Sequence, residues 1–483
     1  MIDFRPILQV AGILLATLAL AMFLPMIADL IEGNDDWQVF LGAGFLTLFV
    51  GMALFLTNRT GGSGLTVRQA FLLTTVAWVI LCAFAALPFA FADPGLDYVD
   101  ALFEATAGLT TTGSTVMTEL QSRPTGILLW RALLQWMGGI GIIVTAVAVL
   151  PMLRIAGMQL FSTESSDQEK MLPRTARIAV VITTIYAFFS VLCFLSYWVA
   201  GMSSFDALTH AMTTVSTAGF STHDSSLAVF NSTRIEIIAM VFMVSGALPF
   251  VIYMQMARGR FVPLWRDVQV RLFAAIVIGA IALLMLQRVL AAHDTTSFWT
   301  LLREVSFNVI AIATSTGYVT EDFSSWGGFA TALFFILLFL GGCTGSTAGG
   351  IKMFRVHVLA ATIYMQLRRL TQRHGVFVAH YNNVQISDHV AQSVTTFVVI
   401  FIAGFFLLTA GLAAHDLDFI TSASGAAAAL GNIGPGLGPV IGPSGNYSSL
   451  PDTAKLLLCV GMLMGRLEFF TILVLLTPNF WRE

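Results

Sequence analysis

The chain has 483 residues and a mass of 52.2 kDa. It is 57% hydrophobic and only 11% charged, with a mean hydropathy of +0.83, whereas soluble proteins carry about 25% charged residues. So thin a supply of charge cannot cover the surface of soluble domains, and a net charge of -3 gives no electrostatic case for nucleic-acid binding. The four cysteines, Cys82, Cys193, Cys343 and Cys459, lie in apolar stretches without CxxC spacing, which argues against a disulfide scaffold and a zinc ribbon.

A bilayer core takes about 20 apolar residues as helix. Apolar runs bounded by charge predict ten crossings, near 7–29, 38–57, 70–92, 126–151, 177–200, 234–257, 271–291, 327–366, 391–413 and 454–478. The first follows Met1-Ile2-Asp3-Phe4-Arg5 without a small-residue cleavage site, so it reads as an uncleaved span. With the N-terminus inside, the segments near 58–69, 152–176, 258–270 and 351–390 face the cytosol. They gather most of the 24 Lys and Arg, among them Arg59, Arg154, Lys170, Arg258, Lys352, Arg355 and Arg368. That bias predicts cytosolic N- and C-termini. The opposite segments are acidic, with Asp35, Asp36, Asp97, Asp224 and Glu321 among their residues. They read either as an outer vestibule that concentrates cations or as ordinary solvated loops.

After the first two spans, each outer connection holds a short semi-apolar segment that ends in a small-polar-glycine turn. The turns are Thr110-Thr111-Thr112-Gly113-Ser114, Ser216-Thr217-Ala218-Gly219-Phe220, Thr314-Ser315-Thr316-Gly317-Tyr318 and Gly431-Asn432-Ile433-Gly434-Pro435. Their glycines stand 106, 98 and 117 residues apart, each with a hydroxyl or amide residue two positions before it. Asp100, Asp206 and Glu304 all lie thirteen residues before a glycine. A repeated span, short segment, turn and span gives four parallel units that can ring an axis along the membrane normal. A dozen residues reach only about 18 Å as helix, so the short segments must enter and return. Their C-terminal ends would point negative partial charge at one central place and stabilise a cation there. Inward carbonyls can replace a cation's hydration shell, which requires backbone angles that a side chain resists. Taken singly, each turn is also an ordinary helix C-cap.

These residues resemble the superfamily of K+ transporters that includes the Trk, Ktr and plant HKT proteins, most closely its bacterial Trk-type membrane subunit, TrkH. The resemblance covers about residues 70–480, and the first two spans also look TrkH-like. It implies an all-α polytopic membrane protein with two extra N-terminal transmembrane helices in 1–69. Four M1-pore loop-M2 repeats would follow, at 70–151, 177–257, 268–366 and 388–480, around a pseudo-fourfold pore. The resemblance also implies a K+ selectivity filter built from Thr111, Thr112, Gly113, Thr217, Ala218, Gly219, Ser315, Thr316, Gly317, Asn432, Ile433 and Gly434. The fourth turn departs from the Thr-rich pattern, which leaves its register the most open.

Residues 327–366 would make a helix of about 60 Å, twice the bilayer core. Their middle, Gly341-Gly342-Cys343-Thr344-Gly345-Ser346-Thr347-Ala348-Gly349-Gly350, holds five glycines, each costing about 1 kcal/mol of helix relative to alanine. The stretch should therefore be unwound, with its freed backbone groups facing water or polar protein. Gly350-Ile351-Lys352 lacks the Gly-Lys-Ser/Thr order of a nucleotide-binding loop, and no strand precedes it. A glycine-rich packing face is one reading. The resemblance implies the other, an intramembrane gate beneath the filter.

Arg466, in Met464-Gly465-Arg466-Leu467-Glu468, lies in an apolar run, where an arginine costs about 3 kcal/mol or more and should face inward with partners. Glu468 is two positions away and points elsewhere on a helix, so carbonyls of the unwound loop or a carboxylate on another repeat are the better partners. Its role is either a positive charge below the filter, as the resemblance implies, or a structural ion pair. His210 reads as a packing histidine.

The function implied is K+ uptake across the bacterial inner membrane through a gated, channel-like pore. The resemblance further implies a homodimer and a cytosolic TrkA-like regulatory subunit, with NAD or ATP/ADP bound to that partner rather than to this chain. The basic segments near 152–176, 258–271 and 352–373 would dock it, although positive-inside topology alone also produces them. The alternative is an H+- or Na+-coupled secondary symporter, with the broken eighth span as an alternating-access site. An enzyme is not expected, because no nucleophile, acid-base pair or metal set converges in the sequence.

Overall fold

A computed structural model of the chain describes residues 2–59, 66–144, 171–290, 297–372, 375–382 and 384–482. The first two helices, α1 (Arg5–Glu32) and α2 (Trp37–Thr57), form an antiparallel hairpin. One side buries Leu15, Leu18, Met22 and Phe40, while Leu20, Ile31 and Phe49 stay 61%, 79% and 73% exposed. Large apolar side chains that open mark a face covered by membrane or by another protein surface rather than by water.

Four sets of helices follow in one pattern. The first is α3 (Val67–Phe91), α4 (Tyr98–Leu109) and α5 (Thr125–Val144). The second is α6 (Met171–Val199), α7 (Ser204–Val215), α8 (Thr233–Ala247) and α9 (Phe250–Met256). The third is α10 (Val268–Leu290), α11 (Phe298–Ala313), α12 (Gly328–Leu337) and α13 (Met353–Thr371). The fourth is α14 (Asp388–Ala413), α15 (Phe419–Gly431), α16 (Asp452–Leu467) and α17 (Phe469–Leu476). The only strands among the described residues are β1 (His380–Tyr381) and β2 (Val384–Gln385), an antiparallel pair between α13 and α14.

Local chemistry sets several of these starts. Thr66 and Gln69 form a capping box ahead of α3, and the side chains of Ser203, Ser387 and Asp418 accept the backbone N–H of Asp206, Val390 and Thr421 at the starts of α7, α14 and α15. Each cap satisfies a backbone donor that the first helical turn leaves free, a gain of about 1 kcal/mol.

Among the described residues seven helices are long and apolar enough to cross a membrane, or up to nine if each bent pair counts as one span. Two stretches expected as continuous helices are bent. Residues 234–257 break between α8 and α9 by 97°, and 454–478 break between α16 and α17 by 110°. At the first break Pro249 has no N–H and disfavours helix at the residue before it, and Leu248 is extended at φ -87°, ψ 157°. At the second, Glu468 takes φ 62°, outside any right-handed helix. The long run 327–366 is likewise no single helix, since α12 stops at Leu337 and α13 begins at Met353. Of the expected stretch 126–151, the part beyond 144 lies outside the described residues, as does most of the basic segment 152–176 and Arg373.

The short helices sit at the centre. Every residue from 421 to 431 of α15 is buried, and so are those from 104 to 109 of α4. The sequence of α15, Thr-Ser-Ala-Ser-Gly-Ala-Ala-Ala-Ala, supplies side chains small enough for neighbours to close round it on all sides.

Candidate functional site

The short helices α4, α7, α11 and α15 end at Leu109, Val215, Ala313 and Gly431, and each then reverses through a turn of one design. A left-handed residue comes first: Thr111, Thr217, Ser315 and Asn432 have φ of 54°, 49°, 57° and 52°. Two positions on, Gly113, Gly219 and Gly317 have φ of 84°, 79° and 78°, a region that a Cβ makes costly. The N–H groups of Gly113, Gly219 and Gly317 donate back to Ala107, Thr213 and Ala311, at 3.3, 3.4 and 3.0 Å. In the fourth turn Ile433 donates to Ala428 at 2.9 Å, matching Thr112 to Ala107 at 2.9 Å and Ala218 to Thr213 at 3.0 Å. Asn432-Ile433-Gly434 thus lies in register with Thr111-Thr112-Gly113.

The turns meet in cyclic order. A Cβ on Gly113 would fall on the Ala218 carbonyl oxygen, and one on Gly219 on that of Thr316. One on Gly317 would stand 2.9 Å from Gly434 N, and one on Gly434 2.9 Å from the Gly113 carbonyl oxygen. First touches second, second third, third fourth, and fourth first. All twelve residues expected at the filter therefore lie in one closed ring. Hydroxyl pairs stand on one diagonal, Thr110 with Thr112 at 2.7 Å and Thr314 with Thr316 at 2.8 Å, whereas the other diagonal has Ala218 and Ile433 at the matching positions.

Buried polar groups fix the ring from behind. Gln135 on α5 donates to the Ala218 carbonyl at 2.9 Å and accepts from Phe220 N at 3.0 Å. Arg131, one turn away, pairs with Glu104 at 2.8 Å, donates to the Ser221 carbonyl at 2.7 Å and lies over the Phe220 ring. Glu104 also accepts from Thr115 Oγ1 and Val116 N, so neither buried charge lacks a partner. Lys455 on α16 reaches Asp100 on α4 at 2.5 Å. His210 is a satisfied packing residue, with Nδ1 on the Asp206 carbonyl at 2.8 Å and Nε2 on Ser221 Oγ at 2.9 Å.

Against one face of the ring lies the glycine-rich loop, buried from Gly341 through Gly349. It folds back on itself, with Gly341 N donating to Ile351 O at 3.1 Å and Ile351 N to Phe339 O at 2.9 Å. A Cβ on Gly341 would overlap the Gly349 carbonyl, so only glycine lets the two limbs close. Cys343 N and Thr347 N donate to Ala247 O and Gly246 O, the carbonyls that the break after α8 leaves free, at 2.9 and 3.2 Å. Thr344 N donates to Gln269 Oε1 at 2.8 Å. The unwound backbone is thus satisfied by polar protein rather than by exposure. Two hydrogen bonds join it to the ring itself: Thr217 Oγ1 donates to Thr347 Oγ1 at 2.9 Å, and Gly349 N to Ser315 Oγ at 2.6 Å.

Arg466, 2% exposed at the last turn of α16, donates through Nη1 to the Thr347 carbonyl at 3.0 Å. Its partner is a loop carbonyl and not Glu468, which instead takes Arg355 at 2.6 Å. Arg355 is only 2% exposed and lies over the Phe397 ring, so it is buried within the protein rather than displayed on the basic docking surface expected over 352–373. Lys352 donates to the Ala348 carbonyl. Lys352, Arg355, Arg466 and Glu468 border a cavity of about 30 Å³ between loop and ring, room for a water or two. From the sequence, Arg466 stands out as a charge inside an apolar run. Arg131, Glu104, Arg355, Glu468 and Lys455 carry the same signal, an ionisable residue within or beside an apolar run.

A family model described as "TrkH: Cation transport protein" matches residues 36–482. The Trk system potassium uptake protein TrkI of Halomonas elongata is 43% identical over 483 residues, 99% of this chain and 97% of that protein. The Trk system potassium uptake protein TrkH of Escherichia coli K12 is 35% identical over 99% of this chain and all of that one. The crystal structure of the potassium transporter TrkH from Vibrio parahaemolyticus superposes with a TM-score of 0.92 at 35% identity, covering 100% of both chains.

Proposed function

The chain belongs to the TrkH family of cation transport proteins, and from that premise we propose that it takes up K+ across the bacterial inner membrane through a channel-like pore. In this reading the four glycine turns are the selectivity filter. A K+ ion sheds water where turn carbonyls and hydroxyls replace its hydration shell, and the C-terminal ends of α4, α7, α11 and α15 add negative potential. The observation that carries the reading is the closed cyclic order of Gly113, Gly219, Gly317 and Gly434, supplied by one chain in sequence order.

The loop from Gly341 to Gly350, with Arg466, is the gate. A segment docked against the ring by Thr347 and Gly349 obstructs the inward path. The Arg466 guanidinium opposes a cation beside it by about 4 kcal/mol at 4 Å, taking an effective dielectric of 20. Opening requires the loop to exchange these contacts for another arrangement. The protein works as a homodimer with cytosolic termini, under control of a TrkA-like cytosolic subunit that carries the NAD or ATP/ADP site. Its role is transport and not enzymatic catalysis.

The test is flux of radiolabelled Rb+ into proteoliposomes driven only by a K+ gradient, with K+ and Na+ as competitors and the cytosolic subunit and nucleotide supplied. Concentrative uptake without a proton or sodium gradient, competed better by K+ than by Na+, is the expected result. Flux that requires an imposed proton or sodium gradient would replace this reading with the coupled symporter.

A further inference from the structure

The fourth turn differs from the other three at its glycine carbonyl as well as in backbone angle. The carbonyl oxygen of Gly434 accepts two hydrogen bonds, from Ser114 Oγ at 2.9 Å and from the Tyr447 hydroxyl at 3.1 Å. A carbonyl oxygen has two lone pairs, so both are taken. Among the described residues no protein donor reaches the carbonyls of Gly113, Gly219 or Gly317. Those three glycines are left-handed and partly open, whereas Gly434 is buried and outside the left-handed region.

Both hydroxyls are held where they act. Ser114 directly follows Gly113 and is 2% exposed. Tyr447 is 3% exposed, packs on Phe103 with ring centroids 5.4 Å apart, and donates its N–H to the Thr115 carbonyl at 2.9 Å. First and fourth turns are also joined by Asn432 Nδ2, which donates to Thr112 Oγ1 at 3.0 Å.

We propose that Ser114 and Tyr447 are positioning residues that hold the Gly434 carbonyl out of the ion-coordinating set, and so lower the protein's discrimination of K+ from Na+. This rests on the reading of the four turns as the filter. Three glycine carbonyls are then free to face an ion and the fourth is occupied. Number and field strength of coordinating carbonyls bear on K+ over Na+ preference. Each further oxygen crowds the smaller ion more than the larger, so releasing the fourth carbonyl favours K+.

The test compares Ser114→Ala, Tyr447→Phe and the double variant, each co-expressed with a TrkA-like subunit in cells deficient in K+ uptake. The readout is the ratio of Na+ to K+ concentrations that halve Rb+ uptake, which is independent of expression level. The double variant is expected to raise that ratio about fivefold, the scale of one neutral hydrogen bond, and each single variant to raise it less. An unchanged or lowered ratio overturns the inference. If the double variant loses its folded gel-filtration peak, Tyr447→Phe alone decides, since it keeps the ring against Phe103 and must still raise the ratio. Gly219→Ala separates the two levels. A ratio and uptake unmoved by Gly219→Ala reject the filter reading itself, whereas a response there with none in the double variant rejects only the role of the two hydroxyls.

Discussion

Arg466 donates to the carbonyl oxygen of Thr347 at 3.0 Å, tying the end of α16 in the fourth unit to the buried loop of the third. A hydrogen bond from a charged donor contributes about 1.5–3 kcal/mol. If the loop is the gate, Arg466→Ala shifts its balance toward open and raises Rb+ uptake in the absence of nucleotide by about tenfold or more. Arg466→Lys, which keeps the charge without the fork, should fall between. Uptake lower than wild type in Arg466→Ala protein of normal stability would remove the arginine from gating.

Thr347 holds the same loop from its other side, where its hydroxyl accepts from Thr217 and donates to the Gly246 carbonyl at 3.0 Å. Thr347→Val keeps the volume and removes these bonds. The expected rise in nucleotide-free uptake is about five- to tenfold. It should not add fully to that of Arg466→Ala, because both substitutions release one element. Full additivity in the double variant would mean that the two residues act on separate barriers.

The pair of Arg355 and Glu468, with side chains 3% and 10% exposed, is a different case. Removing one partner strands a buried charge at a cost of about 3–5 kcal/mol. Glu468→Gln and Arg355→Met should each lower the melting temperature in detergent markedly. The double variant should be more stable than the sum of the two losses predicts, since it leaves no orphan charge. Equal stability of Glu468→Gln and wild type would rule out a structural role for the pair.

Gly219 and Gly345 share left-handed backbone at φ 79° and 80° but not surroundings. Alanine at Gly345 meets nothing within 4 Å and costs only the backbone strain, about 1–2 kcal/mol. At Gly219 its methyl would collide with the Thr316 carbonyl of the neighbouring turn. Growth on limiting K+ should therefore be lost in Gly219→Ala cells and kept in Gly345→Ala cells. The reverse order would contradict the ring geometry.

Where the sequence carried a repeated pattern, it was readable. The helical class, the break within 327–366, the matched position of the four turns and the loop-carbonyl partner of Arg466 all follow from spacing, glycine content and the cost of buried charge. The bends after Ala247 and Leu467 were not anticipated, because hydropathy averages over a window and a broken apolar helix scores like a straight one. Pro249 was the available signal for the first bend, while Glu468 gave none until its partner was known. The burial of Arg355 was not legible, because a basic residue at the end of an apolar run looks solvent-exposed when it is counted singly. Its burial depends on a carboxylate 113 residues further along the chain. The three-plus-one character of the turns was hidden too, since Tyr447 lies 13 residues beyond Gly434, outside the turn pattern that the four units share.

Because one polypeptide closes the ring, no position in it is copied by symmetry. In an assembly of four identical subunits, a threonine exchanged for isoleucine would be exchanged four times at once. Here Ile433 can stand in the fourth turn while Thr112 and Thr316 keep the matching positions of the first and third. The same freedom lets the third unit carry the buried glycine-rich loop and the fourth carry Arg466 without either being copied into the other units. Selection can then adjust one quadrant at a time, in steps a quarter the size of those open to a symmetric ring.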